Sequence, residues 1–210
     1  MSDGRSGDRA ERWNERYRDR ERAEPAATTE AVPGPSGAMV RLSSTLPTAG
    51  VAIDLAGGDG GDAIALADWG LDAVLVDWSR AALDRATTFA ARLDRPLTTV
   101  RLDLAGRRLA DVLAAIGEPR PAVVTCVNYL DRDLLASVAA DLPPGGRFLA
   151  SIATTTNLER NQRPPAPFLL GRGELFDLVT ASRPDRLRVL HRRQGWCDDR
   201  HHAEVAVEAR

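Results

Sequence analysis

Lysine is absent from this 210-residue chain, and all 28 basic residues are arginine. They stand against 30 acidic residues, for a net charge of −2. Neither that balance nor the scatter of the arginines makes the single-sign field that draws a protein onto DNA or RNA, so no nucleic acid partner is expected. Cysteine is scarce. Cys126 and Cys197 are too few for a disulfide framework and too isolated for a zinc cluster, which fits a reducing compartment and leaves no metal site expected. No run of about twenty apolar residues occurs, so no membrane span is expected. Charged residues open the chain with no apolar run behind them, and no secretory signal is expected. Together these absences point to the cytoplasm. Aromatics are only 5% of the residues, against 43% for all hydrophobics. The core must therefore come from Ala, Val, Leu and Ile, a composition suited to helices stacked on a sheet.

What is present divides into a charged segment with a linker, residues 1–38, and a single domain, residues 39–210. Arg, Glu and Asp dominate residues 1–22, which reads as a solvated tail. Against that reading, Trp13, Arg16 and Tyr17 stand at i, i+3 and i+4, so two aromatics and a guanidinium share one helical face. Pro25, Pro33, Gly34, Pro35 and Gly37 mark residues 23–38 as a linker. Residues 39–46 read as one or two helical turns.

From residue 50 the pattern becomes regular. Residues 51–55 are a short apolar strand, and a helix follows from Gly61 to Trp69, ended by Gly70. Residues 73–77 are a second strand. Ser79 caps a helix whose inward face is Ala82, Ala86, Phe89 and Leu93. Residues 97–102 read as a third strand and 107–116 as a helix. Residues 122–127 form a strand buried on both faces. Asp131 caps a helix carrying Leu134, Leu135, Val138, Ala139 and Leu142 at helical period. Pro143-Pro144-Gly145-Gly146 is a hard turn before a strand over 147–153. A short helix near 173–181 and two strands, near 186–192 and 203–209, follow. In the last, Val205 and Val207 face one way and Glu204, Ala206 and Glu208 the other. Strand and helix alternate over 50–153, which predicts an α/β fold with a parallel sheet between two helical layers. The final two strands have no crossover helix between them, so an antiparallel hairpin at the sheet edge is expected.

Open parallel sheets bind ligands at the carboxyl ends of their strands, near the point where strand order reverses. There the first strand runs into Asp54-Leu55-Ala56-Gly57-Gly58-Asp59-Gly60-Gly61, whose small residues let the backbone approach a ligand. Asp77 closes the second strand, where a carboxylate can accept both hydroxyls of a ribose. Two cofactors fit this geometry. A nicotinamide dinucleotide wants Gly-x-Gly-x-x-Gly before a helix aimed at a pyrophosphate, which Gly58, Gly60 and Ala63 satisfy loosely. Asp54 argues against it, because a carboxylate at the strand end repels a pyrophosphate. S-adenosylmethionine carries no phosphate, and its ammonium and sulfonium are attracted to such a carboxylate.

Residues 54–67 resemble the first motif of class I S-adenosylmethionine-dependent methyltransferases, acid-x-Gly-x-Gly-x-Gly, with Ala56 at the first glycine. Val76-Asp77-Trp78-Ser79 resembles the second motif, whose acid binds ribose and whose next residue packs on adenine. Asp103-Leu104 resembles the acidic-apolar pair that reads the adenine amino group, and residues 142–148 resemble the Leu-x-Pro-Gly-Gly turn before the fifth strand. Within that family, Trp13-x-x-Arg16-Tyr17 and residues 167–175 are similar to the small bacterial tellurite-resistance and thiopurine methyltransferase-like group. The resemblance implies a three-layer Rossmann-like fold, with a mostly parallel seven-stranded sheet ending in an antiparallel edge hairpin. It implies S-adenosyl-L-methionine as cofactor and S-adenosyl-L-homocysteine as product. Asp54, Ala56, Gly58, Gly60, Asp77, Trp78, Asp103, Leu104 and Asn128 would surround the cofactor, and Trp13 and Tyr17 would close over it. Gly61 and Asp62 depart from the pattern, standing where Arg and Asn are common.

Methyl transfer from a sulfonium is an in-line displacement whose leaving group is already activated. The protein chiefly aligns acceptor and methyl in a water-poor site. A base is needed only where the acceptor must lose a proton, and Tyr129 and His202 are the candidates for the acceptor side. Tyr129 reads equally well as packing. The expected acceptor pocket combines Tyr129 with residues 154–170 and 194–202. The fourth strand runs into Asn128-Tyr129-Leu130-Asp131, not the Asx-Pro-Pro-aromatic of DNA amino-group methylases, which favours a small-molecule acceptor such as a thiol, chalcogen oxyanion or hydroxyl. Cys126 reads as core, and Asp103 reads alternatively as a turn cap. Cys197, Asp198, Asp199, His201 and His202 lack a second ligand pair at a recognised spacing, and adjacent histidines in a strand point to opposite faces. His191 and His201 therefore read as surface residues. Glu174 and Arg172 read as surface charge on a short helix or as part of a lid. Monomer and homodimer both fit. Two rival readings stay open: a nicotinamide-dependent oxidoreductase, and a methyltransferase-like domain that binds without turnover.

Overall fold

The computed structural model describes residues 31–118, 120–197 and 199–210; the segment bearing Trp13 and Tyr17 lies outside the described residues. The strands are β1 (Val51–Leu55), β2 (Asp72–Asp77), β3 (Thr98–Arg101), β4 (Val123–Val127), β5 (Arg147–Ala153), β6 (Leu187–Cys197) and β7 (Arg200–Ala209). They form one seven-stranded sheet in the order β3-β2-β1-β4-β5-β7-β6. Pairing is parallel from β3 to β5, and β7 runs antiparallel between β5 and β6. Successive strands are laid down outward on one side of β1 and then on the other. The reversal falls between β1 and β4, and it opens a crevice above their carboxyl ends.

The helices are α1 (Gly37–Leu42), α2 (Gly61–Asp68), α3 (Arg80–Arg92), α4 (Leu109–Ile116), α5 (Arg132–Asp141) and α6 (Glu174–Thr180). Alternation along each strand sorts them into two layers. Ile53, Leu55, Val124, Cys126, Phe148, Val205 and Val207 pack with Leu109 and Val112 of α4, Leu134 and Val138 of α5, and Leu175 and Val179 of α6. The opposite face, with Ala52, Val123, Leu149 and Ala206, meets Met39 and Leu42 of α1 and Leu66 of α2. Leu75 joins Ala63 of α2 to Leu83 and Ala86 of α3 on that side. No helix among the described residues is long and apolar enough to cross a membrane.

Side-chain caps fix the helix starts where the sequence places them. Ser79 Oγ accepts the Ala82 N–H at 3.3 Å, and Asp131 Oδ1 accepts those of Asp133 and Leu134, both at 3.1 Å. Some bounds differ from expectation. Helix α3 stops at Arg92, leaving Leu93 39% exposed, because the Arg95 N–H turns back to the Ala90 carbonyl; Leu83 and Ala90 complete the buried face instead. Helix α2 stops at Asp68, so Trp69 is 38% exposed. Helix α1 starts at Gly37, capped by Ser36, inside the stretch that reads as linker.

The hairpin is longer than its periodicity predicts, and only β6 lies at the edge. Exposed Arg188 and Arg192 and a register shift between Val189 and His191 blunt that edge against further pairing. Strand β7 is interior, covered on both faces, which corrects the surface reading of His201: it is buried, like His202 and Glu204. Arg147 and Arg188 flank Glu208 across the three strands at 2.9 and 2.8 Å.

Candidate active site

The site is built on the β1–α2 turn. Ala56 leaves β1 in a left-handed conformation, φ 55°, with its N–H on the Val76 carbonyl at 2.7 Å. Gly57 then folds directly over the Asp54 side chain. A methyl group at Gly57 would overlap Asp54 Oδ2 and Leu75 Cδ1, so this position admits glycine alone. The next turn residue, Gly58, donates its N–H to Asp77 Oδ2 at 3.0 Å, while Ser79 N–H occupies Asp77 Oδ1 at 2.7 Å. Asp77 thus ties the turn to β2 and keeps a second acceptor site on each oxygen. Gly60, expected beside the cofactor, is placed by the structure against α3. It lies outside the cavity lining and lets α2 approach α3, since a Cβ there would stand 2.8 Å from that of Ala86.

Below the turn, Asp54 is 1% exposed. Its Oδ1 accepts the Thr125 hydroxyl at 2.8 Å, whereas Oδ2 is buried with no hydrogen-bond partner. Burial, first, and then the neighbouring Asp62 carboxylate hold the Asp54 pKa well above the usual carboxylate range, against the Thr125 bond. Burial raises Asp62 and Asp77 as well, opposed by the backbone N–H groups they accept.

These residues open onto a cavity of about 360 Å³, the size of a small-ligand site. Asp54, Ala56, Gly58, Asp77, Trp78, Asp103, Leu104, Asn128 and Tyr129 all line it. Asp103 also caps its own turn through Ala105 N–H at 3.0 Å, as its alternative reading expects. Trp78 Nε1 is buried without a partner, and the Arg101 guanidinium lies 4.9 Å from the Trp78 ring. Asn128 sits at φ 59°, a conformation asparagine tolerates, with its N–H on the Ser151 carbonyl at 2.9 Å. Asp59 and Asp62 bring the aspartates in the lining to five, and no arginine or histidine is among the described residues lining it.

His202 is outside that lining. Its Nδ1 lies 3.0 Å from Ser151 Oγ, and its Nε2 is buried and unbonded. Burial lowers its pKa, with Glu204 opposing, which favours the neutral imidazole. His201, one residue back, points to the other face and meets Thr154 Oγ1 at 2.6 Å. Cys126 is core: burial raises its thiol pKa, and Asp54 and Asp131 add to the rise. Glu174 bonds Arg132 and the Gly171 N–H, both at 2.6 Å, which anchors α6 to α5. Among the described residues, no group of three or more His, Cys, Asp or Glu is arranged to hold a metal ion.

The architecture matches solved S-adenosylmethionine-dependent methyltransferases. TehB from Haemophilus influenzae superposes with a TM-score of 0.63 at 14% identity, covering 92% of this chain and 67% of that one. A TehB-like methyltransferase from Corynebacterium glutamicum gives 0.60 at 14% identity, covering 94% and 98%. The glycopeptide N-methyltransferase MtfA, in complex with S-adenosyl-L-methionine, gives 0.59 at 20% identity, covering 89% and 100%. The chain has the class I methyltransferase fold. No family model matches the sequence, and no curated protein does.

Within this methyltransferase fold, several lining residues escape the sequence pattern. Pro33, Gly34 and Ser36 belong to the stretch that composition marks as linker, yet they form one wall of the cavity. Asp62 reads in the sequence only as a departure from the motif, where Asn is common, and the fold places it on the same cavity. Gly57 carries a legible signal, being one of two adjacent glycines after the strand, but which of the pair is sterically obligatory depends on where the Asp54 carboxylate points.

Proposed function

We propose that the protein is an S-adenosylmethionine-dependent methyltransferase acting on a small-molecule acceptor. The observation that carries this reading is the cavity beneath the β1–α2 turn, which gathers five aspartates and contains a buried Asp54 oxygen without a partner. Such a lining attracts the ammonium and sulfonium of S-adenosylmethionine and repels the pyrophosphate of a nicotinamide dinucleotide. MtfA, which shares the fold, is solved with the same cofactor.

The residues present fit that group. Asp77 retains acceptor capacity for the ribose hydroxyls, and Trp78 offers an aromatic face beside them. Asp103 and Leu104, both lining the cavity, would meet the adenine end, and Ala56, Gly58 and Asn128 would supply backbone or side-chain polar groups between the two ends. Asp54 would take the ammonium. Trp13 and Tyr17 would close over the cofactor. When bound, the cofactor supplies an electrophilic methyl on a leaving group that needs no further activation. The protein's task is to exclude water and align the acceptor with that methyl. Tyr129, which lines the cavity, would orient the acceptor. His202 would act as a base only toward an acceptor reaching beyond the lined cavity, since it is buried against Ser151 outside that lining. The reading includes a cytoplasmic protein, monomeric or homodimeric, with no nucleic acid partner.

Calorimetric titration with S-adenosylmethionine and S-adenosylhomocysteine tests the proposal. Micromolar binding is expected, weakened about tenfold or more by Asp77→Ala, roughly 1.4 kcal/mol. Absence of binding by a folded protein would remove the methyltransferase reading. Binding without turnover on any thiol, phenol or oxyanion acceptor would favour a non-catalytic binding domain.

A further inference from the structure

Gly61 and Asp62, the two departures from the methyltransferase motif, act together in the structure. Because Gly61 has no side chain, the 33–36 segment lies directly on the turn: a Cβ there would stand 2.6 Å from the Gly34 carbonyl oxygen and 3.3 Å from Pro33 Cβ. Asp62 then holds the segment, accepting the Ser36 N–H on Oδ1 at 2.6 Å. Ser36 in turn caps α1, its Oγ accepting the Met39 N–H at 3.2 Å. This strap is a wall of the cavity, and Asp62 faces the same space. Independently, Asp54 presents a buried oxygen with no hydrogen-bond partner among those walls.

We propose that Asp62 is a second binding carboxylate for the cationic amino-acid end of the cofactor, and that it couples this binding to the 33–36 strap. The inference rests on the methyltransferase reading. Two acids confined beside one another repel, and their mutual charge is relieved by a cation placed between them. An ammonium there bonds Asp54 and Asp62 with charge-assisted hydrogen bonds. The Asp62 carboxylate, held by the ligand, also keeps the Ser36 N–H, which ties the strap and the start of α1 to the bound ligand. Asn, common at this position in the family, would keep the strap contact and lose the charge.

The test uses the full chain and three probes. S-adenosylhomocysteine carries both ammonium and carboxylate, S-adenosyl-3-thiopropylamine carries the ammonium alone, and 5′-methylthioadenosine carries neither. Asp62→Asn is expected to weaken the first two by about tenfold or more and to leave the third within about twofold, which also certifies that the variant is folded. Unchanged or tighter S-adenosylhomocysteine binding by Asp62→Asn would overturn the inference, since it would mean that Asp62 repels the carboxylate or serves the strap alone. Equal losses for all three probes would overturn it too. If the wild-type chain binds none of them, the cofactor reading itself fails. Amide exchange at Ser36 reads the coupling: S-adenosylhomocysteine should slow it in the wild type and not in Asp62→Ala. Equal slowing in both would reject the strap's role.

Discussion

Asp54 on β1 and Glu204 on β7 are both buried carboxylates on the same face of the sheet, one 1% exposed and the other 2%. Their surroundings differ. Glu204 Oε1 accepts Arg41 Nε at 3.0 Å and Nη2 at 2.5 Å; its Oε2, like Asp54 Oδ2, has no hydrogen-bond partner, but His191 Nε2 at 3.5 Å and Arg193 Nη1 at 3.9 Å lie beside it. Asp54 has the Thr125 hydroxyl, the nearby Ala63 backbone N–H and two further acids. Glu204 is compensated by the protein itself, and the contact fastens α1 to the hairpin. Asp54 lacks such compensation, and a cationic ligand is the partner that would supply it. The chain thus supplies a counter-charge to one buried acid and not to the other, and the proposed cofactor site rests on that difference.

Replacing each acid by its amide should separate the two. Glu204→Gln removes the charge from a group of cations, and an unpaired buried charge costs more than the pair it leaves. Arg41 is about one-third exposed and recovers water, so the expected loss is about 2 kcal/mol, less than for a fully buried pair. In a chain of this size that lowers the melting temperature by roughly 4–8 °C. S-adenosylhomocysteine affinity should stay within about twofold. A variant that melts with the wild type would break the comparison at the Glu204 end.

Asp54→Asn should act in the opposite sense on stability. The folded-state pKa of Asp54 is raised above its unfolded value, as are those of Asp62 and Asp77. The stability linked to each is fully present below the unfolded carboxylate pKa and is lost as pH rises through the raised folded value. The ligand-free protein should therefore melt higher in mild acid than at neutral pH, and the difference should shrink when S-adenosylmethionine is added. At neutral pH, Asp54→Asn should melt roughly 2–4 °C above wild type, the shift that about 1 kcal/mol makes here. It should bind the cofactor at least about tenfold more weakly. Lower melting together with intact binding would assign Asp54 to structure.

The contrast between these acids was only half legible in the sequence. Asp54 and Asp77 announce themselves because each ends an apolar strand, the first before a run of glycines. The alternation of strand and helix places both at the sheet's carboxyl edge without any coordinates. Glu204 looks like the outward residue of an alternating edge strand, because nothing local says that β7 lies inside the sheet with α1 above it. His201 misleads for the same reason. The strap is hidden differently: Pro33, Gly34 and Pro35 report that the chain turns, and where it turns to depends on the missing side chain of Gly61, twenty-six residues beyond Pro35. Long-range packing, not local propensity, decides those positions.

The smallest effect concerns Ala56, where the motif has glycine. Its φ of 55° puts a methyl group in the left-handed region, which costs an L-residue about 1–2 kcal/mol. Glycine removes that strain but adds freedom to the unfolded chain, worth about 0.5–1 kcal/mol in the other direction. The second term offsets about half of the first, so Ala56→Gly should stabilise by about 0.5–1 kcal/mol before packing is counted, a rise of roughly 1–4 °C. The Ala56 side chain also packs against the core below the turn, and losing that contact trims the gain further. Binding should be unaltered, because the Ala56 N–H to the Val76 carbonyl, which sets the height of the turn above Asp54, survives the change. A destabilisation larger than about 1 kcal/mol would mean that the methyl's packing outweighs its strain. The alanine would then be a structural adaptation of this turn, and the acidic cavity would depend on a side chain that the motif's glycine lacks.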